Sequence, residues 1–105
     1  MLLQQLRTFR EVATERSFTR AARNLHYAQS SVTTQIKNLE ESIGAVLFDR
    51  THRQVSLTEA GIRLLPYADE IIRMVDRARR EVAQETPREM AAMLSLNSFG
   101  RASAS

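Results

Sequence analysis

The sequence predicts a mainly α fold, built from three short helices, a β-hairpin and one long C-terminal helix. Apolar residues recur at helical spacing in four separate stretches. Between the third and fourth, two short β-prone runs flank a polar tip. Gly and Pro together number only five in 105 residues, too few for the many turns of an all-β sandwich.

The elements follow in order. Leu2, Leu6, Phe9, Val12 and Ala13 make an amphipathic first helix over residues 2–15. Ser17 suits the N-cap of a second helix, Phe18 to Leu25, whose apolar set is Phe18, Ala21, Ala22 and Leu25. The paired alanines let another helix cross closely. After the short break His26-Tyr27-Ala28, a third helix runs from Gln29 to Ile43. Its Val32, Ile36, Leu39 and Ile43 fall within about 60° on a helical wheel and predict a buried stripe. Gly44 suits the residue that ends the helix. The runs 45–50 and 54–57 form the hairpin around Thr51-His52-Arg53. Thr58 caps the last helix, 59–85, with Glu59 in its first turn. In that helix Leu64, Ala68, Ile71, Val75, Ala78 and Val82 alternate by four and three, the narrow seam of a coiled-coil pairing. Leu65 and Ile72 lie off the seam, and Leu65 packs back on the domain. Pro66 removes one backbone hydrogen bond within it.

Composition narrows the function. There is no cysteine, which excludes disulfides and thiolate chemistry. His26 and His52 stand in separate turns without metal-ligand spacing, so no metal and no cofactor is expected. No phosphate loop, nucleophile elbow or carboxylate pair stands out, so no enzyme is expected. Without an apolar run of membrane length or a signal peptide, the chain reads as soluble and cytoplasmic. The net charge is +3, and residues 1–57 hold all of the excess, with eight bases and five acids. No acid stands between Arg16 and Leu39. Such a stretch suits a polyanion, and equally a solvated basic face.

The third helix sharpens the choice. Opposite its apolar stripe stand Ser30, Thr33, Thr34, Lys37 and Glu41, with Gln29 at the leading edge. Glutamine pairs bidentately with adenine, and hydroxyls bond bases or phosphates. Glu40 and Glu41 come late, so the N-terminal half is the end that suits DNA. A polar helix face alone is commonly just solvated. Its context, a short helix with paired alanines, a tight turn and a basic-tipped hairpin, is the layout of a winged helix-turn-helix. Arg50, His52 and Arg53 cluster at the wing, and a narrow minor groove attracts such side chains.

The segment Phe18-Thr-Arg-Ala-Ala-Arg-Asn-Leu-His-Tyr-Ala-Gln-Ser-Ser-Val-Thr-Thr-Gln-Ile-Lys-Asn-Leu-Glu, then Gly44, Leu47-Phe48-Asp49-Arg50 and Leu57-Thr58-Glu59-Ala60-Gly61, resembles the DNA-binding domain of LysR-type transcriptional regulators. The resemblance covers residues 1 to about 86. It implies that Gln29, Thr33 and the position of Thr34 read the major groove, and that Ser17, Thr19, Ser31 and Lys37 contact phosphates. Arg53 then contacts the minor groove. With Ser30 added as a base contact, Arg50 as a backbone contact and His52 beside Arg53 at the wing, these form the expected site. Three positions depart from the family pattern: Ala28 where Ser is frequent, Ser30 where Pro is frequent, and Thr34 where Arg is common. The base preference is expected to differ accordingly.

The resemblance also implies a homodimer, tetrameric in the full-length form, joined partly through the long helix, with a small-molecule effector sensed by a further C-terminal domain. The expected organisation is a DNA-binding domain over 1–58, a linker and dimerisation helix over 59–86, and a hinge with the truncated start of the effector domain over 87–105. Two other readings stay open at this level: a winged-helix binder that dimerises through both termini, and an interaction adaptor in which the coiled coil is the working part.

Overall fold

The computed structural model describes residues 1–83. Its elements are α1 (Leu3–Glu15), α2 (Phe18–Leu25), α3 (Gln29–Ile43), β1 (Phe48–Asp49), β2 (Ser56–Leu57) and α4 (Glu59–Ala83). The three predicted short helices match these bounds to within one residue. Leu2 caps α1, and its amide donates to Gln5 Oε1 at 3.2 Å. Ser17 Oγ accepts the Arg20 amide at 3.0 Å and starts α2. Helix α2 ends on His26 in the left-handed region, φ 61°. There the Tyr27 amide donates to Ala22 O at 2.9 Å and the His26 amide to Arg23 O at 3.2 Å, the paired bonds of a Schellman ending. Gly44, at φ 83°, ends α3 by donating to Glu40 O at 2.7 Å.

The helices pack on one core. Leu6, Phe9 and Val12 come from α1, Phe18, Ala21 and Ala22 from α2, and Val32, Ile36 and Leu39 from α3. Each large side chain buried this way contributes about 1.5–3 kcal/mol. Thr8 is the one buried polar side chain among the described residues, and it donates to Gln35 Oε1 at 2.6 Å, tying α1 to α3. The hairpin is antiparallel, pairing Phe48 with Leu57 and Asp49 with Ser56. Its strands are shorter than the β-prone runs suggest, and Leu47 and Phe48 serve as core residues. The Phe48 ring meets Phe9 at 5.4 Å and Phe18 at 5.8 Å between centroids.

Thr58 locks the return from hairpin to helix. Its Oγ1 accepts the Gly61 amide at 3.1 Å and donates to Val46 O at 2.6 Å, while its amide donates to Leu47 O at 3.0 Å. Helix α4 then passes so close to the chain at Leu47 that only glycine fits at position 61. A Cβ there would lie 2.3 Å from Leu47 O. Helix α4 runs through Pro66 as one element.

The chain divides into two units, the first being Met1–Arg73. The first extends past the expected boundary at residue 58, because Ala68 and Ile72 are fully buried in its core and Leu64 and Leu65 pack against it. In the second, residues 74–83 are helical, with Met74 and Val82 exposed.

Two expectations are corrected. Ile43 is 37% exposed, so the buried stripe of α3 stops at Leu39, one turn before the chain leaves the helix at Gly44. Ala68 cannot belong to an exposed seam, because its own domain covers it completely. After Leu64 and Ala68 a helical stripe continues equally well to Ile71 or to Ile72, and the fold takes Ile72 inward while Ile71 stays 41% exposed. The expected end of α4 at 84–86 and the segment 87–105 lie outside the described residues.

Candidate nucleic-acid interface

The outer side of α3 is presented as its polarity requires. Gln29, Ser30, Ser31, Thr34 and Lys37 are exposed and Thr33 is half-buried. Ser30, Ser31 and Thr34 line one shallow depression with Gln35. Ala28 gives α3 no side-chain cap, so the helix N-terminus keeps amide donors and a positive dipole end for an anion. Ser17 and Thr19 stand at the start of α2, and Thr19 Oγ1 donates to Gln29 Oε1 at 3.0 Å.

Beside α3 lies a cleft of about 440 Å³. Thr33, Lys37 and Glu40 line it from the helix, and Val46, Phe48, Arg50 and Thr51 from the hairpin. Glu40 is half-buried and its carboxylate accepts the Leu47 amide at 2.8 Å. This acid fastens the hairpin to the end of α3. The reading of it as merely remote from phosphates missed that role. Among the described residues no carboxylate pairs with Lys37, Arg50 or Arg53, whereas Arg10 pairs with Asp69 at 3.6 Å and Arg20 with Glu15 at 3.5 Å. Ion pairs therefore hold Arg10 and Arg20 away from the cleft, while Lys37 and Arg50 line it without one among the described residues.

The wing divides into an anchored base and an exposed tip. Arg50 lies with its guanidinium 4.4 Å from the centre of the Phe18 ring, which holds it at the base and not with His52 and Arg53. On the other strand, Val55 O accepts from Arg16 Nε at 3.4 Å. Arg16 itself sits in the left-handed region, φ 54°, where α1 ends. At the turn, Asp49 Oδ1 accepts from the Thr51 hydroxyl at 2.7 Å and the Thr51 amide at 2.9 Å. The Thr51 side chain is the first cause that holds the Asp49 carboxyl below its ordinary value, followed by the Thr51 amide and, more weakly, by His52. His52 and Arg53 are exposed beyond this turn.

The fold thus gathers Ser17, Thr19, Gln29, Ser30, Ser31, Thr33, Thr34, Lys37 and Arg50 about the start of α3 and the cleft beside it. The expected seam residues on α4 form no part of this set. Sequence reasoning missed Thr51, although an Asp followed two residues later by Thr is a local signal for such a turn. It also missed the bond from Thr19 to Gln29, which joins two helices and has no local signal.

Residues 3–62 match the family model for bacterial regulatory helix-turn-helix proteins of the lysR family. The HTH-type transcriptional regulator YofA of Bacillus subtilis is 47% identical over 75 residues, which is 71% of this chain and 26% of that protein. The HTH-type transcriptional regulator HdfR of Yersinia enterocolitica is 46% identical over 78 residues, 74% of this chain and 27% of that protein. The chain thus spans about a quarter of the length of these curated relatives. Among solved structures, the BenM DBD/benA site 1 DNA complex superposes with a TM-score of 0.76 at 38% identity, covering 80% of this chain and 98% of that one.

Proposed function

The chain belongs to the LysR family of bacterial regulatory helix-turn-helix proteins, and from that premise we propose that it is the DNA-reading part of a transcription regulator. The observation that carries the proposal is the outer side of α3. Its N-terminal half has no side-chain cap, is acid-free and exposed, and it stands beside a cleft that Lys37 and Arg50 line with Glu40, neither base in an ion pair among the described residues. The similar BenM domain, solved in complex with DNA, supports the same reading.

In this reading α3 enters the major groove. Gln29, Ser30, Thr33 and Thr34 face base edges, and Ser17, Ser31, Lys37 and Arg50 face phosphates. His52 and Arg53 reach the minor groove from the wing tip. Two copies joined through α4 place two such helices on a pseudo-palindromic site, with half-sites about one turn apart or a multiple of it. Any small-molecule effector acts through a further domain of the whole regulator.

Selection of bound sites from random duplex DNA tests the proposal. Enrichment of a two-fold-related sequence is expected, and failure to retain any duplex at low salt would refute DNA binding. On the enriched site, Gln29→Ala should lose about 1–3 kcal/mol of discrimination at one base pair. Lys37→Ala should weaken binding to all sequences and lower the salt slope by about 1.

A further inference from the structure

Ser17 and Thr19 both carry a hydroxyl at the start of α2, and the two are used in opposite ways. Ser17 Oγ accepts the Arg20 amide at 3.0 Å, so its own proton remains available to a phosphate. Thr19 Oγ1 gives its proton to Gln29 Oε1 at 3.0 Å. A hydroxyl has one proton, and a phosphate oxygen can only accept. While it donates to Gln29 Oε1, Thr19 therefore has no proton left for a phosphate.

In this bond the Gln29 amide faces Thr19 with its oxygen. With Oε1 turned to Thr19, the second lone pair of that oxygen and both Nε2 protons remain for a base edge. That is the acceptor and donor set that a bidentate contact with adenine requires. Gln29 is exposed at the first position of α3, and the Ala28 cap before it gives no side-chain bond. Ser17 fixes Thr19 in its turn by starting α2 two residues earlier.

We propose that Thr19 is a specificity-determining positioning residue, which holds the Gln29 amide in the orientation that reads its base pair. This rests on the proposed base-reading role of Gln29. The test uses the 105-residue chain and three probes: a duplex selected by it from random DNA, the same duplex changed at the base pair whose discrimination Gln29→Ala abolishes, and random duplex. In Thr19→Val, discrimination between the first two should fall about five-fold, the loss of one hydrogen bond. Affinity for random duplex and its salt slope should stay unchanged.

Thr19→Ser should restore discrimination, and Thr19→Val should add nothing in the Gln29→Ala background. Thr19 is exposed, so the substitution should leave the thermal melt unchanged, and Thr19→Ala serves as a second variant. Equal loss on all three duplexes with a shallower salt slope would make Thr19 a phosphate contact and overturn the proposal. No change on any duplex would overturn it as well. If Gln29→Ala alone leaves discrimination intact at every base pair, it is the base-reading role of Gln29 that fails.

Discussion

His26 occupies the left-handed region at φ 61° without being glycine. For an L-residue this conformation costs roughly 1–2 kcal/mol, and the turn between α2 and α3 demands it. His26→Gly should therefore stabilise the domain by about 0.5–1 kcal/mol, after the added backbone entropy of glycine in the unfolded chain, and a thermal melt should show a higher Tm. Arg16, at φ 54°, should respond differently, because Arg16→Gly also removes the bond to Val55 O. Asp49 adds a pH dependence. Its folded-state pKa is depressed, so its contribution is present above the ordinary value of 3.8 and is lost as pH falls through the lower folded value. The wing turn is thus intact at neutral pH, and its Thr51 amide should lose protection as pH falls below the ordinary carboxylate value.

At the scale of elements, the helix-turn-helix is held by small residues and local caps, while the wing is held by long-range contacts. Ala21 and Ala22 are buried where α2 meets its neighbours, and Asn24 Nδ2 donates to Glu11 and Glu15 of α1, at 2.8 Å each. The wing depends on Phe48, Glu40, Arg16, Arg50 and the close pass of α4 at Gly61. Gly61→Ala should destabilise the domain by about 3 kcal/mol, the upper end for overpacking, because the carbonyl of Leu47 is backbone and cannot swing aside. Urea unfolding should show a lower midpoint with an unchanged slope. Glu40→Gln keeps an acceptor for the Leu47 amide and should fold normally, whereas Glu40→Ala leaves that part-buried amide unpaired and should cost about 1–3 kcal/mol.

At the scale of the whole molecule, the proposed dimer rests on the side of α4 that its own core does not use. Within the first unit Tyr67 and Ile71 are 64% and 41% exposed, and within the second Met74 and Val82 are 61% and 80% exposed. Exposed apolar side chains of this kind are what the proposed contact would cover. Charged replacements at Ile71 and Val75 should yield monomers in sedimentation at micromolar concentration. A persisting dimer would place the contact elsewhere. Ala68, by contrast, is covered by its own domain, and a larger residue there should unfold the protein without altering dimerisation selectively.

The sequence by itself determined the three short helices, the caps at Ser17 and Gly44 and the outer side of α3. These features depend on residues close together in the chain, and a 3.6-residue period with Ser17 starting α2 and Gly44 ending α3 specifies them locally. It also determined which residues of α3 face outward, because the Val32–Ile36–Leu39 stripe leaves the Gln29–Lys37 side no alternative. Only the tertiary structure decided how α4 divides its apolar residues. The choice between Ile71 and Ile72 as the inward position depends on Gly61 letting the helix pass close to Leu47, a contact fourteen residues away in sequence. Likewise, only the approach of α2 to α3 set Thr19 against Gln29, and only that of the hairpin to α2 set Arg50 against Phe18. Periodicity reports which side of a helix is apolar, and it carries no information on which polar side chains from different elements meet.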